Sequence, residues 1–142
     1  MRDTDPEQGV LVVHRIVQWG TGNVGRMALD AVLDRPDMEL VGCYVTSPNK
    51  HGRDVGELLG RPPIGVIATN DVSAIEAMDA DCVLHMPLPS AQANDDNPGL
   101  DTDVLCALLA SGKNVVTSVG YVYPKSYGEM VYGRLQAACA SG

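Results

Sequence analysis

The stretch Gly20–Gly25, which reads GTGNVG, constrains the fold of this 142-residue chain more than any other feature. It has the form G-x-G-x-x-G, and it follows an apolar run, Arg15–Trp19. It also opens a segment, Val24–Leu33, whose apolar residues recur at helical spacing. A glycine-rich turn between a strand and a helix is typical of the first unit of a parallel α/β fold.

The rest of the chain continues this alternation of apolar runs and helical segments. Short continuous apolar runs are typical of strands that are covered on both faces. The alternation predicts an α/β fold of Rossmann type, a doubly wound parallel sheet of about five strands with helices on both faces. The predicted strands are Arg15–Trp19, Met38–Thr46, Ile64–Ala68, Cys82–Met86 and Asn114–Ser118, and the predicted helices are Val24–Leu33, Asp54–Leu59, Asp71–Met78, Asp101–Ala110 and Lys125–Ala140.

Composition sets the domain organisation and excludes several classes of partner. A hydrophobic content of 45% suits one domain, predicted over residues 14–142, and the polar residues 1–13 are expected to be a flexible tail. A net charge of −8 argues against nucleic acid or an anionic membrane as a partner. The four cysteines form no CxxC pair, so we expect reduced, buried thiols, no metal site and a cytoplasmic protein. The sequence contains no apolar run of about 20 residues that would span a bilayer.

Each glycine of the G-x-G-x-x-G stretch has a physical role in binding a dinucleotide. Gly20 permits the tight turn, Gly22 lets the backbone approach a diphosphate, and Gly25 lets the helix pack closely on the sheet. The amides at the start of the helix, from Gly20 through Thr21, Gly22, Asn23 and Val24 to Gly25, would face the phosphates, and Arg26 would add charge. A tight turn without a ligand is the alternative, although such a turn needs only one glycine.

The end of the second predicted strand favours NADP over NAD. An NAD site usually has an acidic residue there, about 20 residues after the glycines. Glu39 lies at the beginning of this strand instead, and its end carries Thr46 and Ser47, with Lys50 and Arg53 beyond. Hydroxyls and cations suit a 2′-phosphate, so the predicted cofactor is NADP, with NAD left open. An ordinary polar turn is the alternative.

Five segments of the chain, covering about residues 14 to 125, resemble a known family. They resemble, in order, the N-terminal domain of dihydrodipicolinate reductases and, more closely, the NAD(P)-dependent amine dehydrogenases such as diaminopentanoate and diaminopimelate dehydrogenase. The segments read GTGNVGR, MELVGCYVTS, GRDVGELLG, DADCVLHMP and SGKNVVTSVGY, of which GRDVGELLG is the most specific.

The resemblance implies a dinucleotide across the carboxyl edge of the sheet, with its nicotinamide held by the loops after the fourth and fifth predicted strands. The residues implied there are His85, Met86, Pro87, Ser118, Val119 and Gly120. Two positions depart from the reductase pattern, because Met86 and Pro87 replace a Phe-Thr pair and Val119 replaces a hydroxyl residue. The family's second domain, which carries the substrate site and most catalytic residues, is absent from this sequence. A small-molecule substrate would bind through that domain, and the apolar face left without it would favour homo-oligomer formation.

Few side chains in this sequence are candidates for proton transfer. His85 is a weak candidate, and a packed, hydrogen-bonded histidine is the alternative. Tyr121, Tyr123 and Tyr127 would contact the ring or the substrate or fill space, and Lys125 would meet a substrate carboxylate or water. The predicted function is the NAD(P)(H)-binding domain of an oxidoreductase that transfers hydride to or from a C–N substrate. On its own, the chain is expected to bind cofactor without turnover. A free-standing dinucleotide-sensing module and a methyltransferase are the alternatives, although both normally keep the acidic residue that is missing here.

Overall fold

A computed structural model describes residues 11–88 and 99–142, and it contains a four-stranded parallel sheet. The strand order is β2-β1-β3-β4, and every neighbouring pair is parallel. The strands are β1 (His14–Trp19), β2 (Met38–Tyr44), β3 (Cys82–His85) and β4 (Asn114–Thr117). This arrangement confirms the predicted Rossmann-type α/β fold.

The helices also follow the predicted order, with small changes at their ends. Asp71 is the N-cap of the third helix, because its carboxylate accepts hydrogen bonds from the amides of Ser73 and Ala74. The predicted helix Lys125–Ala140 is interrupted, because Gly128 has a φ of +91°. The helices are α1 (Asn23–Leu33), α2 (Val55–Leu58), α3 (Val72–Ala77), α4 (Leu100–Ala110) and α5 (Glu129–Ser141), and a 3₁₀ turn spans Pro124–Tyr127.

The sheet is covered on both faces by two separate apolar clusters. Ile16 and Val17, which are neighbours on β1, belong to different clusters because successive side chains point to opposite faces of a strand. The Ile16 cluster includes Leu29 of α1, and the Val17 cluster includes Ile75 of α3 and Leu108 of α4. Helix α1 therefore covers one face, and α3 and α4 cover the other, as the doubly wound arrangement predicts.

The third predicted strand, Ile64–Ala68, is not a strand of the sheet, so the expected number of five strands is wrong for the described residues. Its one bridge is an isolated one between Ile67 and Asp54, and a second isolated bridge joins Tyr44 to Thr69, just after the run. Gly65 has a φ of +85°, and the amides of Ile64 and Gly65 donate to the carboxylate of Asp54. The backbone of this run is thus bonded to a neighbouring loop instead of extending along β2.

The carboxylate of Asp54 organises the loop that contains the sequence GRDVGELLG. It is the N-cap of α2 and accepts hydrogen bonds from the amides of Gly56, Ile64 and Gly65, at 2.8, 3.0 and 2.8 Å. The bond from Ile64 is the main cause that lowers the pKa of Asp54 below its ordinary value. The motif that is most specific in the sequence is therefore explained by the folding of its own loop.

The expectation of buried cysteine thiols agrees with the structure only in part. Cys43 is buried, and burial raises its pKa to about 12, but Cys82 and Cys106 are partly exposed and Cys139 is exposed. The expectation that the thiols are buried is thus wrong for three of the four. Most of the predicted tail, and residues 89–98, lie outside the described residues. No helix in the described ranges is long and apolar enough to cross a membrane.

We expect Asp54→Asn to destabilise the protein, because an amide keeps one acceptor oxygen and places donors where three backbone amides already donate. The carboxylate stabilises the fold above its unfolded pKa, and this stabilisation is lost as the pH falls through its lowered folded pKa. At neutral pH the thermal unfolding midpoint should fall by several degrees, and the difference from the wild type should shrink in acid. Calorimetry over a pH series measures both effects.

Asp79→Asn is the matched control for this prediction. Its side chain is 96% exposed, so the same chemical change should leave the midpoint almost unchanged. An equal effect of both substitutions would show that the Asp54 hydrogen bonds do not carry the stability.

Candidate nucleotide-binding site

The four strands end side by side at one edge of the sheet. Trp19 pairs with Tyr44 and with His85, and His85 pairs with Thr117, so the last residues of all four strands lie in one row. From β1 the chain turns to β2 through α1 on one face, whereas β3 lies on the other side of β1. Ligands of open α/β sheets bind in the crevice at this point, where the strand order reverses.

Four loops leave this edge, and the loops after β1, β3 and β4 each begin with a hydrogen bond that continues the ladder. The first residue of each of these three loops donates its amide to the last carbonyl of the neighbouring strand, which fixes the start of the loop. These bonds join Gly20 to Tyr44 (3.0 Å), Met86 to Trp19 (2.8 Å) and Ser118 to His85 (3.1 Å).

A cavity of about 640 Å³ opens between these loops. Most of the predicted cofactor-binding residues line it, and the exceptions include Gly25, His85, Val119 and Gly120. The lining residues are Trp19, Gly20, Thr21, Gly22, Asn23, Val24, Tyr44, Thr46, Ser47, Lys50, Met86, Pro87, Leu88 and Ser118. The fold thus brings predicted residues that are far apart in the sequence together around one cavity.

The three glycines of the loop are explained by different contacts. Gly20 has a φ of +94°, and a Cβ there would lie 2.6 Å from the carbonyl oxygen of Met86. A Cβ on Gly25 would overlap the carbonyl oxygen of Gly20, so this glycine permits the close packing of α1 on β1. Gly22 has an ordinary φ of −74°, and no protein atom lies within 4 Å of its ideal Cβ position. Neither conformation nor packing requires a glycine there, but a bound ligand would.

The first turn of α1 adds the features of an anion site. Gly22 is the N-cap, no side chain caps this end of the helix, and the first turn has no acidic residue. The positive end of the helix dipole is therefore left uncompensated by protein groups at the cavity. Arg26 does not contribute the expected charge to the loop, because its guanidinium donates to the carbonyl of Leu58 at 2.6 Å.

Gln18 supports the loop from inside the protein. Its side chain is fully buried, and Nε2 donates to the carbonyl oxygen of Gly20 at 3.0 Å. Oε1 is buried without a hydrogen-bond partner in the described structure. The sequence offered little signal for this role, since Gln18 lies within an otherwise apolar strand.

Among the residues that the structure describes, Lys50 is the only charged side chain that lines the cavity. Its Nζ donates to Oγ1 of Thr21 at 2.9 Å and lies 3.4 Å from the carbonyl oxygen of Thr21. Within residues 11–88 and 99–142 it pairs with no carboxylate. A cation without a counter-ion at the N-terminus of a helix gives this cavity a positive potential inside an acidic protein.

The turn after β2 directs Lys50 back toward the glycine loop. The amides of Lys50 and His51 both donate to the carbonyl oxygen of Ser47, at 3.0 and 3.2 Å. Glu39, at the opposite end of the strand, lies 3.5 Å from Arg15, and it does not line the cavity. Arg53 is exposed and does not line the cavity either.

His85 is a packed residue of the sheet, as the alternative interpretation held. It is 1% exposed, its Nδ1 lies 2.9 Å from Oγ1 of Thr117, and its ring packs against Trp19. Burial lowers its pKa to about 4, so the imidazole is neutral at pH 7. Oγ1 of Thr117 also accepts from the amide of Val119, at 3.1 Å. His85 therefore supports the loop after β4 and does not line the cavity.

Two of the tyrosines after β4 pack against each other. Tyr121 and Tyr127 stack with ring centroids 4.7 Å apart, and the hydroxyl of Tyr121 lies 2.5 Å from that of Thr102. Tyr127 Oη accepts from the amide of Tyr121, and a Cβ on Gly120 would lie 2.6 Å from this oxygen. The absence of a side chain at Gly120 therefore permits this conformation of the loop. Tyr123 is exposed, and the Lys125 ammonium lies 5.2 Å from the ring centroid of Tyr132.

Sequence reasoning missed three cavity residues, Trp19, Tyr44 and Leu88. Trp19 and Tyr44 are stacked, with ring centroids 3.9 Å apart. Both are the last residues of strands that end at the cavity, and this position is the feature by which they could have been predicted. Among the described residues, no three His, Cys, Asp or Glu side chains are grouped so that they would hold a metal ion.

The fold and the site together define a dinucleotide-binding domain of Rossmann type. Residues 14–95 match the family of dihydrodipicolinate reductase N-terminal domains. The chain therefore belongs to this family of NAD(P)-binding domains.

Two curated relatives agree with this assignment. An amine dehydrogenase from Streptomyces virginiae is 38% identical over 107 residues, which are 74% of this chain and 28% of that protein. A 4-hydroxy-tetrahydrodipicolinate reductase from Synechococcus elongatus is 35% identical over 60 residues, which are 42% of this chain and 22% of that protein. The chain thus matches only about a quarter of the length of these relatives.

Solved structures show the same architecture. An amine dehydrogenase from Mycobacterium smegmatis superposes with a TM-score of 0.74 and 25% identity, over 88% of this chain and 36% of that chain. A biliverdin reductase from Synechocystis, solved with biliverdin and NADP+, superposes with a TM-score of 0.62 and 17% identity, over 87% and 35%. The second likeness is one of fold alone.

We expect the imidazole of His85 to remain neutral through the neutral pH range. Its buried ring should titrate near pH 4, whereas an unperturbed histidine titrates near pH 6.5. Because the folded pKa is lowered, the protonated ring favours unfolding, and stability falls as the pH drops below about 6.5. An NMR titration of the ring protons of His85 measures this pKa. A midpoint near 6.5 for His85 would make it a candidate for proton transfer again.

Proposed function

We propose that this chain binds NADP(H) as the cofactor domain of an oxidoreductase that acts on a C–N bond. The open space at Gly22 is the observation that supports this proposal most directly. The diphosphate of the cofactor would lie against the amides between Gly20 and Gly25, at the N-terminus of α1. The cavity is large enough to belong to a ligand site and contains the polar groups that such a ligand needs.

The charges around the cavity support NADP as the preferred form. The positions after β2 carry the hydroxyls of Thr46 and Ser47 and the cation of Lys50, all of which line the cavity. An acidic residue, which would bind the ribose hydroxyls of NAD and repel a 2′-phosphate, does not occur between residues 44 and 53. We therefore expect the extra phosphate of NADP to increase affinity.

The other end of the cavity would hold the nicotinamide. Met86, Pro87 and Ser118 line this end, and Gly120 shapes the loop that carries Ser118. The bound cofactor would supply or accept the hydride, and the protein would contribute the position of the ring. His85, being buried and neutral, would keep the loop after β4 in place.

The C–N substrate class follows from the two relatives, an amine dehydrogenase and a 4-hydroxy-tetrahydrodipicolinate reductase. Their greater length supports a division of labour in which a further domain binds the substrate. The present residues alone would then bind cofactor without turnover, because hydride transfer needs an aligned substrate. Unchanged absorbance of bound NADPH after addition of a cyclic imine would agree with this division of labour.

We expect Gly22→Ser to abolish cofactor binding while preserving the fold. Serine is a favourable N-cap, and no protein atom would contact its Cβ. Its side chain would fill the space next to the backbone and compete for the same amides. Fluorescence titration with NADPH and with NADH should show at least about a hundredfold loss of affinity for both, which corresponds to about 2.7 kcal/mol. The thermal midpoint should stay within a few degrees of the wild type.

Gly133→Ser, on α5, is the matched control, because it too has no atom within 4 Å of its Cβ position. It should leave both affinities unchanged. If the wild type binds neither NADPH nor NADH, the proposed function is wrong. If Gly22→Ser binds both cofactors as the wild type does, the diphosphate does not lie at this loop.

A further inference from the structure

The contact between Lys50 and Thr21 joins two loops that are far apart in the sequence. Nζ of Lys50 lies 2.9 Å from Oγ1 of Thr21 and 3.4 Å from its carbonyl oxygen. Thr21 is only 7% exposed, so its hydroxyl is held within the wall of the cavity. The partner of the cation is thus a fixed, neutral acceptor.

A neutral partner has a different effect on a lysine than a carboxylate has. A carboxylate would cancel the charge of Lys50, but a hydroxyl only fixes its direction. The ammonium has three N–H donors, and Thr21 accepts with Oγ1 at 2.9 Å and, more weakly, with its carbonyl oxygen at 3.4 Å. Its charge and its remaining donor are therefore available to an anion in the cavity.

Fixing the ammonium matters because a lysine side chain is flexible. Immobilising it costs rotamer entropy, and a cation that is already held does not incur this cost when the ligand binds. Thr46 and Ser47, which like Lys50 follow β2, line the same cavity. A held cation and two hydroxyl residues in one cavity are suited to a phosphate group on the ribose.

We propose that Thr21 is a specificity-determining residue that positions Lys50 for the 2′-phosphate of NADP(H). This inference rests on the proposed function and adds a role for the second residue of the G-x-G-x-x-G stretch. Thr21 acts through Lys50, so it is a positioning residue for cofactor choice. Its hydroxyl should matter for NADPH and much less for NADH, which lacks the 2′-phosphate.

Thr21→Val tests this role, because valine keeps the shape of threonine and removes the hydroxyl. NADPH affinity should fall about tenfold, and NADH affinity should change by less than about twofold. Thr21→Ser, which keeps the hydroxyl, should stay within about threefold of the wild type for NADPH. Adenosine 2′,5′-bisphosphate and AMP, used as competitors, should show the same difference, since they isolate the ribose phosphate.

A double-mutant cycle shows whether Thr21 acts through Lys50. Lys50→Met should lower NADPH affinity more than NADH affinity. Adding Thr21→Val to Lys50→Met should then change the ratio of the two affinities by less than about twofold, because the positioned group is already gone. Circular dichroism and the thermal midpoint of each variant show that the fold is kept.

The outcomes separate this inference from the proposed function. Wild-type protein that binds neither cofactor would contradict the proposed function itself. Wild-type protein that binds NADPH, together with a Thr21→Val variant that loses both cofactors equally, would mean that Thr21 only supports the loop. An unchanged ratio in Thr21→Val, or a further fall of the ratio in the double mutant, would also overturn the role assigned to Thr21.

Discussion

The contact between Gly25 and the carbonyl of Gly20 determines the arrangement of the site. Any side chain at Gly25 would overlap this carbonyl oxygen, so the chain can turn from β1 into α1 this tightly only with a glycine there. The turn points the N-terminus of α1 at the carboxyl edge of the sheet. Gln18 donates to the same carbonyl from below and fixes it. The cavity, its helix dipole and its open backbone at Gly22 all follow from this one packing contact.

The described residues that line the cavity carry a net positive charge, whereas the chain as a whole has a negative net charge. The net charge of −8 would repel a free phosphate at long range, but this repulsion is screened beyond about 8 Å at physiological ionic strength. At the site itself, the helix N-terminus and Lys50 meet no carboxylate among the described lining residues. Local charge, more than net charge, therefore decides which ligand fits the cavity.

The sequence was sufficient to predict features that depend on local patterns. Four strands and the order of the helices follow from apolar periodicity, and the cavity residues after β1 and β2 follow from the glycine motif and the end of the second strand. The cavity residues Met86, Pro87 and Ser118 were implied by the family resemblance. The run Ile64–Ala68 is apolar enough for a strand, but its first two amides donate to the carboxylate of Asp54. These hydrogen bonds do not show in the hydrophobic pattern of the sequence. Arg26 was misplaced for a similar reason, since its acceptor, Leu58, is 32 residues away. The stacked pair Trp19 and Tyr44 needed the register between β1 and β2, which only the structure gives.

The loop that begins at Asp54 shows how a diagnostic motif contributes without touching the cavity. Asp54 closes the loop, and Leu58, at the end of α2, accepts the hydrogen bond of Arg26 from α1. Arg61 lies 2.8 Å from Asp30 and 3.0 Å from Asp34, one turn apart on the same helix. Each surface ion pair contributes little on its own, but together with the bond of Arg26 they attach the loop to both ends of α1. Because α1 presents its N-terminus to the cavity, the loop stabilises the anion site without lining the cavity. The sequence of the motif is therefore explained by the folding of the loop itself.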